Sequence, residues 1–135
     1  MALMTWNPSF SVKVKHFDDQ HVKLVAMLND LHHAKEIGKG NEVLGSILTE
    51  LISYTASHFA DEENLMIQYS FPDTPQHRST HAALVNQVFD LQNRFKAGNA
   101  DLTHEVLDFL KGWLIKHIQG DDRRLGVYLN TKGIV

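Results

Sequence analysis

The sequence contains no cysteine, which removes disulfides, thiolate nucleophiles, iron–sulfur clusters and cysteine-ligated zinc together. It has only three prolines, and two of them fall in FPDTP (71–75), so little else interrupts a helical chain. No apolar run approaches the length needed to span a bilayer. The opening MALMTWNPSF lacks a basic stretch followed by an apolar core, so no signal peptide is expected and the expected compartment is the cytoplasm. Basic residues are not in excess. Thirteen Lys and Arg against sixteen Asp and Glu give a net charge of -3 and a pI near 6.3, which argues against nucleic acid or an anionic membrane as partner.

Histidine is what the chain has in plenty. There are nine, at positions 16, 21, 32, 33, 58, 77, 81, 104 and 117, dispersed rather than clustered as in a tag. The apolar residues around them repeat with helical period. Leu24, Val25, Leu28 and Leu31 mark a first helix, expected to begin near Gln20 behind Asp18 or Asp19 as cap. Leu44, Ile47, Leu48, Leu51, Tyr54, Leu65, Met66 and Tyr69 mark a long second one from about Asn41, broken by FPDTP. Leu84, Val88, Leu91 and Phe95 mark a third from near Gln76. Val106, Phe109, Leu110, Trp113 and Leu114 mark a fourth that opens after Asp101. The expected architecture is all-α: one domain over 1–135, an up-down-up-down antiparallel four-helix bundle (19–120) with an extended N-terminal arm (1–18) and a short C-terminal helical tail (121–135). A monomer is expected.

Several histidines sit on the apolar stripes. His21 precedes Leu28 by two turns, His58 and Glu62 continue the line of Leu51, Tyr54 and Leu65, and His77 and His81 lead into Leu84 and Val88. His117 follows Trp113 by four. In an up-down bundle the starts of helices one and three lie level with the ends of two and four. Four helices therefore deliver five imidazoles and a carboxylate to one end of one core. Uncompensated burial of six such groups would be costly, so the cluster points to metal. A further carboxylate comes from HIQGDD. Asp121, four after His117, suits a regular helix; Asp122 lies about 140° round from His117 and needs a loosened turn, which Gly120 permits. Spacing leaves the two open. His16, His32, His33 and His104 are read as surface or boundary residues, and Asp61 and Glu63 as a solvated helix face. Tyr54, Met66 and Trp113 are read first as core packing.

Five imidazoles and two carboxylates are too many for one zinc. They suit two first-row ions, iron preferred, bridged by carboxylates. If both carboxylates and one solvent oxygen bridge, three histidines complete one ion and two leave the other a vacant position.

The segments DDQH, HFADEENLM, HRSTH and WLIKHIQGDD, with MTWNPSFSV before them, resemble the hemerythrins, notably the single-domain bacterial forms, over essentially the entire chain. The resemblance implies that His77, His81 and His117 bind one iron, and His21 and His58 the other. It also implies that Glu62 and Asp122 bridge them beside an oxo or hydroxo group, which selects Asp122 over Asp121. The implied function is non-enzymatic: reversible binding of dioxygen as hydroperoxide at the five-coordinate iron, for transport, storage or delivery to an oxygen-consuming enzyme. By helical spacing Leu28, Trp113, Leu114 and Ile118 are candidate walls of a dry oxygen pocket. An oxygen sensor or interaction module is one alternative. A ferritin-like di-iron oxidase or ferroxidase is another, although its E-x-x-H motif occurs nowhere in the chain.

Overall fold

The computed structural model describes residues 3–98 and 102–135. Among them there is no strand. The order is a 3-10 turn at Pro8–Phe10, then α1 (Lys15–Glu36), α2 (Gly40–Gln68), α3 (Thr74–Lys96) and α4 (Thr103–Lys116), a π-helical segment (His117–Asp122), and α5 (Arg123–Thr131). Helix α1 packs on α2 and α4, and α2 packs on α3, which makes the all-α four-helix bundle. Each helix turns its stripe inward: Leu24, Leu28 and Leu31 from α1, Leu44, Leu48 and Leu51 from α2, Leu84 and Val88 from α3, Val106, Leu110 and Leu114 from α4. Each such side chain contributes about 1.5–3 kcal/mol on leaving water. No helix among the described residues is long and apolar enough to cross a membrane.

The boundaries depart from expectation in three places. Helix α1 begins at Lys15, five residues earlier than expected, and neither Asp18 nor Asp19 caps it; the cap position is Val14, in extended backbone without a side-chain bond. Asp18 is used otherwise. It lies inside the first turn and accepts hydrogen bonds from Ser11 Oγ at 2.6 Å and Val12 N at 2.8 Å, tying down the arm. The extra turn buries Phe17 completely, an apolar residue beyond the recognised stripe. Ahead of α1 the arm alternates in burial, with Val12 and Val14 inside and Lys13 outside. Helix α3 begins at Thr74 rather than near Gln76, because Pro75 lies in its first turn, where a missing N–H breaks no bond. The fourth helix, expected to open after Asp101, begins at Thr103 behind Leu102.

The third departure concerns the C-terminus. No break occurs at residue 120; α4 runs through the π segment into α5, and Leu125 and Leu129 are fully buried while Val127 faces solvent. The N-terminal arm crosses α5 at Gly126, where an added Cβ would run into the carbonyl oxygen of Val12. Only glycine lets the two backbones approach so closely. Gly126→Ala is therefore expected to lower unfolding free energy by about 2 kcal/mol, within the range for overpacked cores. Chemical denaturation of the two proteins checks this, and an unchanged midpoint would show that the arm yields freely.

Candidate metal centre

Two successive i, i+4 pairs begin the site. His58 and Glu62 lie one turn apart on α2, and His77 and His81 one turn apart on α3, so each pair projects from one face. His21 enters from α1 at the same level. His117 and Asp122 open and close the π segment. There the i→i+5 bonding widens the turn, and residues five apart come round to the same side. Asp122 is consequently fully buried, whereas Asp121 stays partly exposed and meets the outer edge of His117, Nδ1 to Oδ2, at 3.0 Å. The wider turn thus brings Asp122, and not Asp121, in among the inner donor atoms.

All seven candidate ligands are buried, and their donor atoms form two overlapping groups. One holds His77, His81, His117, Glu62 and Asp122; the other holds His21, His58, Glu62 and Asp122. Within each group the atoms lie within 4.8 Å of one another. The contacts divide the carboxylate oxygens between the groups. Glu62 Oε1 lies 3.0 Å from His81 Nε2 and 3.3 Å from His77 Nε2, while its Oε2 lies 2.9 Å from His58 Nε2 and 3.5 Å from His21 Nε2. Asp122 Oδ1 lies 3.0 Å from both His77 and His117, and its Oδ2 lies 3.0 Å from His21. Nε2 atoms also face each other at 3.1 Å in the pairs His21–His58 and His81–His117.

These distances suit hydrogen bonds, yet the directions do not. Both oxygens of Glu62, both of Asp122 and Nε2 of His77 have no hydrogen-bond partner. Buried polar atoms are rarely orphaned in this way. Their spacing has a simple source: adjacent donors around a six-coordinate ion with bonds of about 2.1 Å are about 3 Å apart. Donor atoms gathered this closely, with both carboxylates unpartnered, fit metal ions.

Without metal, protons must balance the two carboxylates. Burial works to lower the pKa of His21, but the anionic Asp122 and Glu62 beside it prevail and raise it from 6.5 to about 9. His77 is raised to about 9 against burial in the same way, and His117 to about 10 with Asp121 adding to the effect. Burial would raise both carboxyls, but the histidines hold Glu62 and Asp122 well below the usual carboxylate range.

An outer layer fixes the rings. His81 Nδ1 meets Glu63 Oε2 at 3.0 Å, and His58 Nδ1 meets Gln20 Oε1 at 2.5 Å. Phe59 lies flat on His81, centroids 3.8 Å apart, and Trp113 stacks on His117 at 4.3 Å. Sequence reasoning missed Gln20, Phe59 and the part played by Glu63. The reading of Glu63 as a solvated face is corrected: it stands one residue from Glu62 and reaches across to α3. The same correction applies to Asp61, which meets Gln20 and His16; those neighbours lie 41 and 45 residues away in sequence, beyond any local pattern. Of the proposed pocket walls, Leu28, Leu114 and Ile118 are buried, whereas Trp113 lies against the three-histidine group.

The bundle and its two donor groups define an all-α protein with a histidine–carboxylate centre able to hold metal. Comparison with known proteins narrows this. The model for the hemerythrin HHE cation-binding domain matches residues 12–129. A bacteriohemerythrin of Methylococcus capsulatus is 37% identical over 132 residues, 97% of this chain and 100% of that protein. One from Stenotrophomonas maltophilia is 35% identical over 91% of this chain and 79% of its own length. A crystal structure of wild-type hemerythrin superposes with a TM-score of 0.87 at 36% identity, covering 95% of this chain and 98% of that one. The chain belongs to the hemerythrin family.

The raised histidine values make the metal-free protein sensitive to alkali. A group whose pKa is higher folded than unfolded stabilises fully below the unfolded value and loses that contribution as pH passes the folded one. The metal-free protein should therefore lose thermal stability from about pH 6.5 to about pH 10. Metal binding at neutral pH should release protons. Calorimetric melting across this range and a pH-indicator titration check both; a flat profile would mean the cluster carries no excess protons.

Proposed function

We propose that this protein is a non-heme di-iron carrier that binds dioxygen reversibly. The observation that supports it best is the inequality of the two donor groups. Both share Glu62 and Asp122, but one adds three imidazoles and the other two. One position is thus a donor short, and a small ligand can complete it. The division of each carboxylate's oxygens between the groups supports Glu62 and Asp122 as bridges. Nitrogen and carboxylate donors with no thiolate suit iron, and the two ions when bound would supply the reversible two-electron chemistry that captures dioxygen.

The chain's own residues then have three tasks. His77, His81 and His117 would fill one metal position, and His21 and His58 would leave the other a donor short. Gln20, Glu63 and Asp121 hold three of the imidazoles by Nδ1, so that Nε2 points inward in each. Phe17 lies edge-on to His58, and the buried Leu28, Leu114 and Ile118, wall candidates by helical spacing, would keep water away with it; a dry, apolar surround protects a reactive bound ligand from protons and hydrolysis. Histidine-rich ligation favours holding dioxygen over cleaving it, and on that ground the reading is of a carrier rather than an oxidase. Unloading to an oxygen-consuming enzyme follows from the same reversibility.

Purified protein should contain two irons per chain. Its reduced form should gain a visible charge-transfer band on oxygenation and lose it when dioxygen is removed. A band that decays at once to the oxidised form would favour an enzyme. His77→Ala and His117→Ala should each lower metal affinity by about tenfold or more, by analogy with losses at the supporting shell of metal sites; unchanged iron content in both would sink the ligand assignment. Leu28→Ala, which shortens a buried wall candidate without removing a ligand, should leave two irons bound while speeding irreversible oxidation. Metal analysis with time-resolved absorbance measures both.

A further inference from the structure

The rings of the centre are not supported alike. His81 and His117 each direct Nδ1 at a carboxylate, Glu63 and Asp121, both at 3.0 Å. Both belong to the three-histidine group. On the other side, His58 directs Nδ1 at the amide oxygen of Gln20, and His21 Nδ1 has no hydrogen-bond partner. The amide does not stand alone. Gln20 Nε2 donates to Asp61 Oδ2 at 2.8 Å, and the same oxygen lies 3.2 Å from Nε2 of the exposed His16. A continuous chain therefore runs from solvent through His16, Asp61 and Gln20 to His58. Asp61 is 40% exposed at its side chain and accepts from Gln20, and at the ordinary acidity of an aspartate it is an anion at neutral pH.

A carboxylate that accepts from an imidazole N–H makes the opposite nitrogen a stronger donor to metal, because a charged acceptor bonds about twice as strongly as a neutral one. An amide does so weakly, and more when its own N–H is drawn towards an anion. We propose that Gln20, held by Asp61, is a positioning residue that keeps a full negative charge one amide away from His58. It thereby makes the iron at the His21–His58 position electron-poorer than its neighbour. This rests on the di-iron reading above.

The consequence is resistance to irreversible oxidation. In that side reaction each iron loses one electron, dioxygen gains two, and the product leaves with two solvent protons as hydrogen peroxide. An electron-poor iron at the open position disfavours the loss, so the bound ligand departs as dioxygen. The direct contact of a carboxylate with the ring is reserved for the closed position, where no exogenous ligand arrives.

An exchange of two groups tests this. In the double variant Gln20→Glu/Asp61→Asn the net charge, the atom count and the hydrogen-bond chain are preserved, but the carboxylate now abuts His58. Asp61→Asn alone keeps the Gln20 amide and removes the charge that polarises it. Both are measured as iron-loaded protein, by the reduction midpoint, the iron content and the rate of irreversible oxidation. The double variant should show a lower midpoint and oxidise about tenfold faster, the low end of effects for such supporting groups. The single variant should shift the midpoint the other way and oxidise more slowly. A purely structural role would move both in one direction or neither, and either result overturns the proposal. If the double variant fails to retain iron, the single variant decides alone, and an unchanged or lowered midpoint overturns it. Fewer than two irons in the unaltered chain is a separate failure, of the di-iron reading itself, and takes this inference with it.

Discussion

Glu62 and Asp122 are carboxylates with no exposed surface, set in the core of a bundle where an isolated anion would cost many kcal/mol. Everything around them answers that charge. Five imidazole nitrogens approach their oxygens at 2.9–3.5 Å, and in the metal-free state three of those rings carry protons well past neutral pH. Protons are a makeshift, because the oxygens of both carboxylates still lack directed hydrogen bonds. Cations seated between the nitrogens and oxygens satisfy charge and direction together. The fold thus buries a negative focus that metal would satisfy in charge and direction together, and loading would then couple to the stability of this end of the bundle.

The bundle achieves the convergence by ordinary means. Leucine stripes set the helices side by side, and the antiparallel order brings four chain segments to one level. The π segment is the exception. A regular turn after His117 would present Asp121 to the core and leave Asp122 outside. The wider turn reverses this, and both aspartates then act: Asp122 at the centre and Asp121 behind His117. π-helical turns are strained and short-lived in sequence, and they concentrate at functional sites. Here the buried charge and the continuation into α5, anchored by Leu125 and Leu129, hold the turn in place.

Behind the inner residues, support is unequal, and the inequality follows the donor count. The group with three imidazoles has carboxylates behind two of them. The group with two has an amide behind one and no partner at Nδ1 of the other. A closed position can take strong donors without risk. Under the di-iron function proposed above, an open one would have to balance holding a ligand against surrendering electrons to it, and the weaker support would suit that balance.

The sequence by itself determined the helical class, the bundle, and the inward-facing histidines with Glu62. All of these follow from periodicity, since residues three or four apart share a face whatever their surroundings. The break at FPDTP was legible for the same local reason. The early start of α1 was not, because Asp18 bonds back to the arm instead of capping, and Phe17 gains its burial only once that arm is folded down. Tertiary structure alone decided which carboxylate oxygen serves which histidines and which turn admits Asp122 geometrically. It also decided that Glu63 and Asp61, apparently solvated, support His81 and Gln20. Those outcomes depend on distances between segments as far apart in the chain as His21 and Asp122, and no spacing along a single helix carries that information.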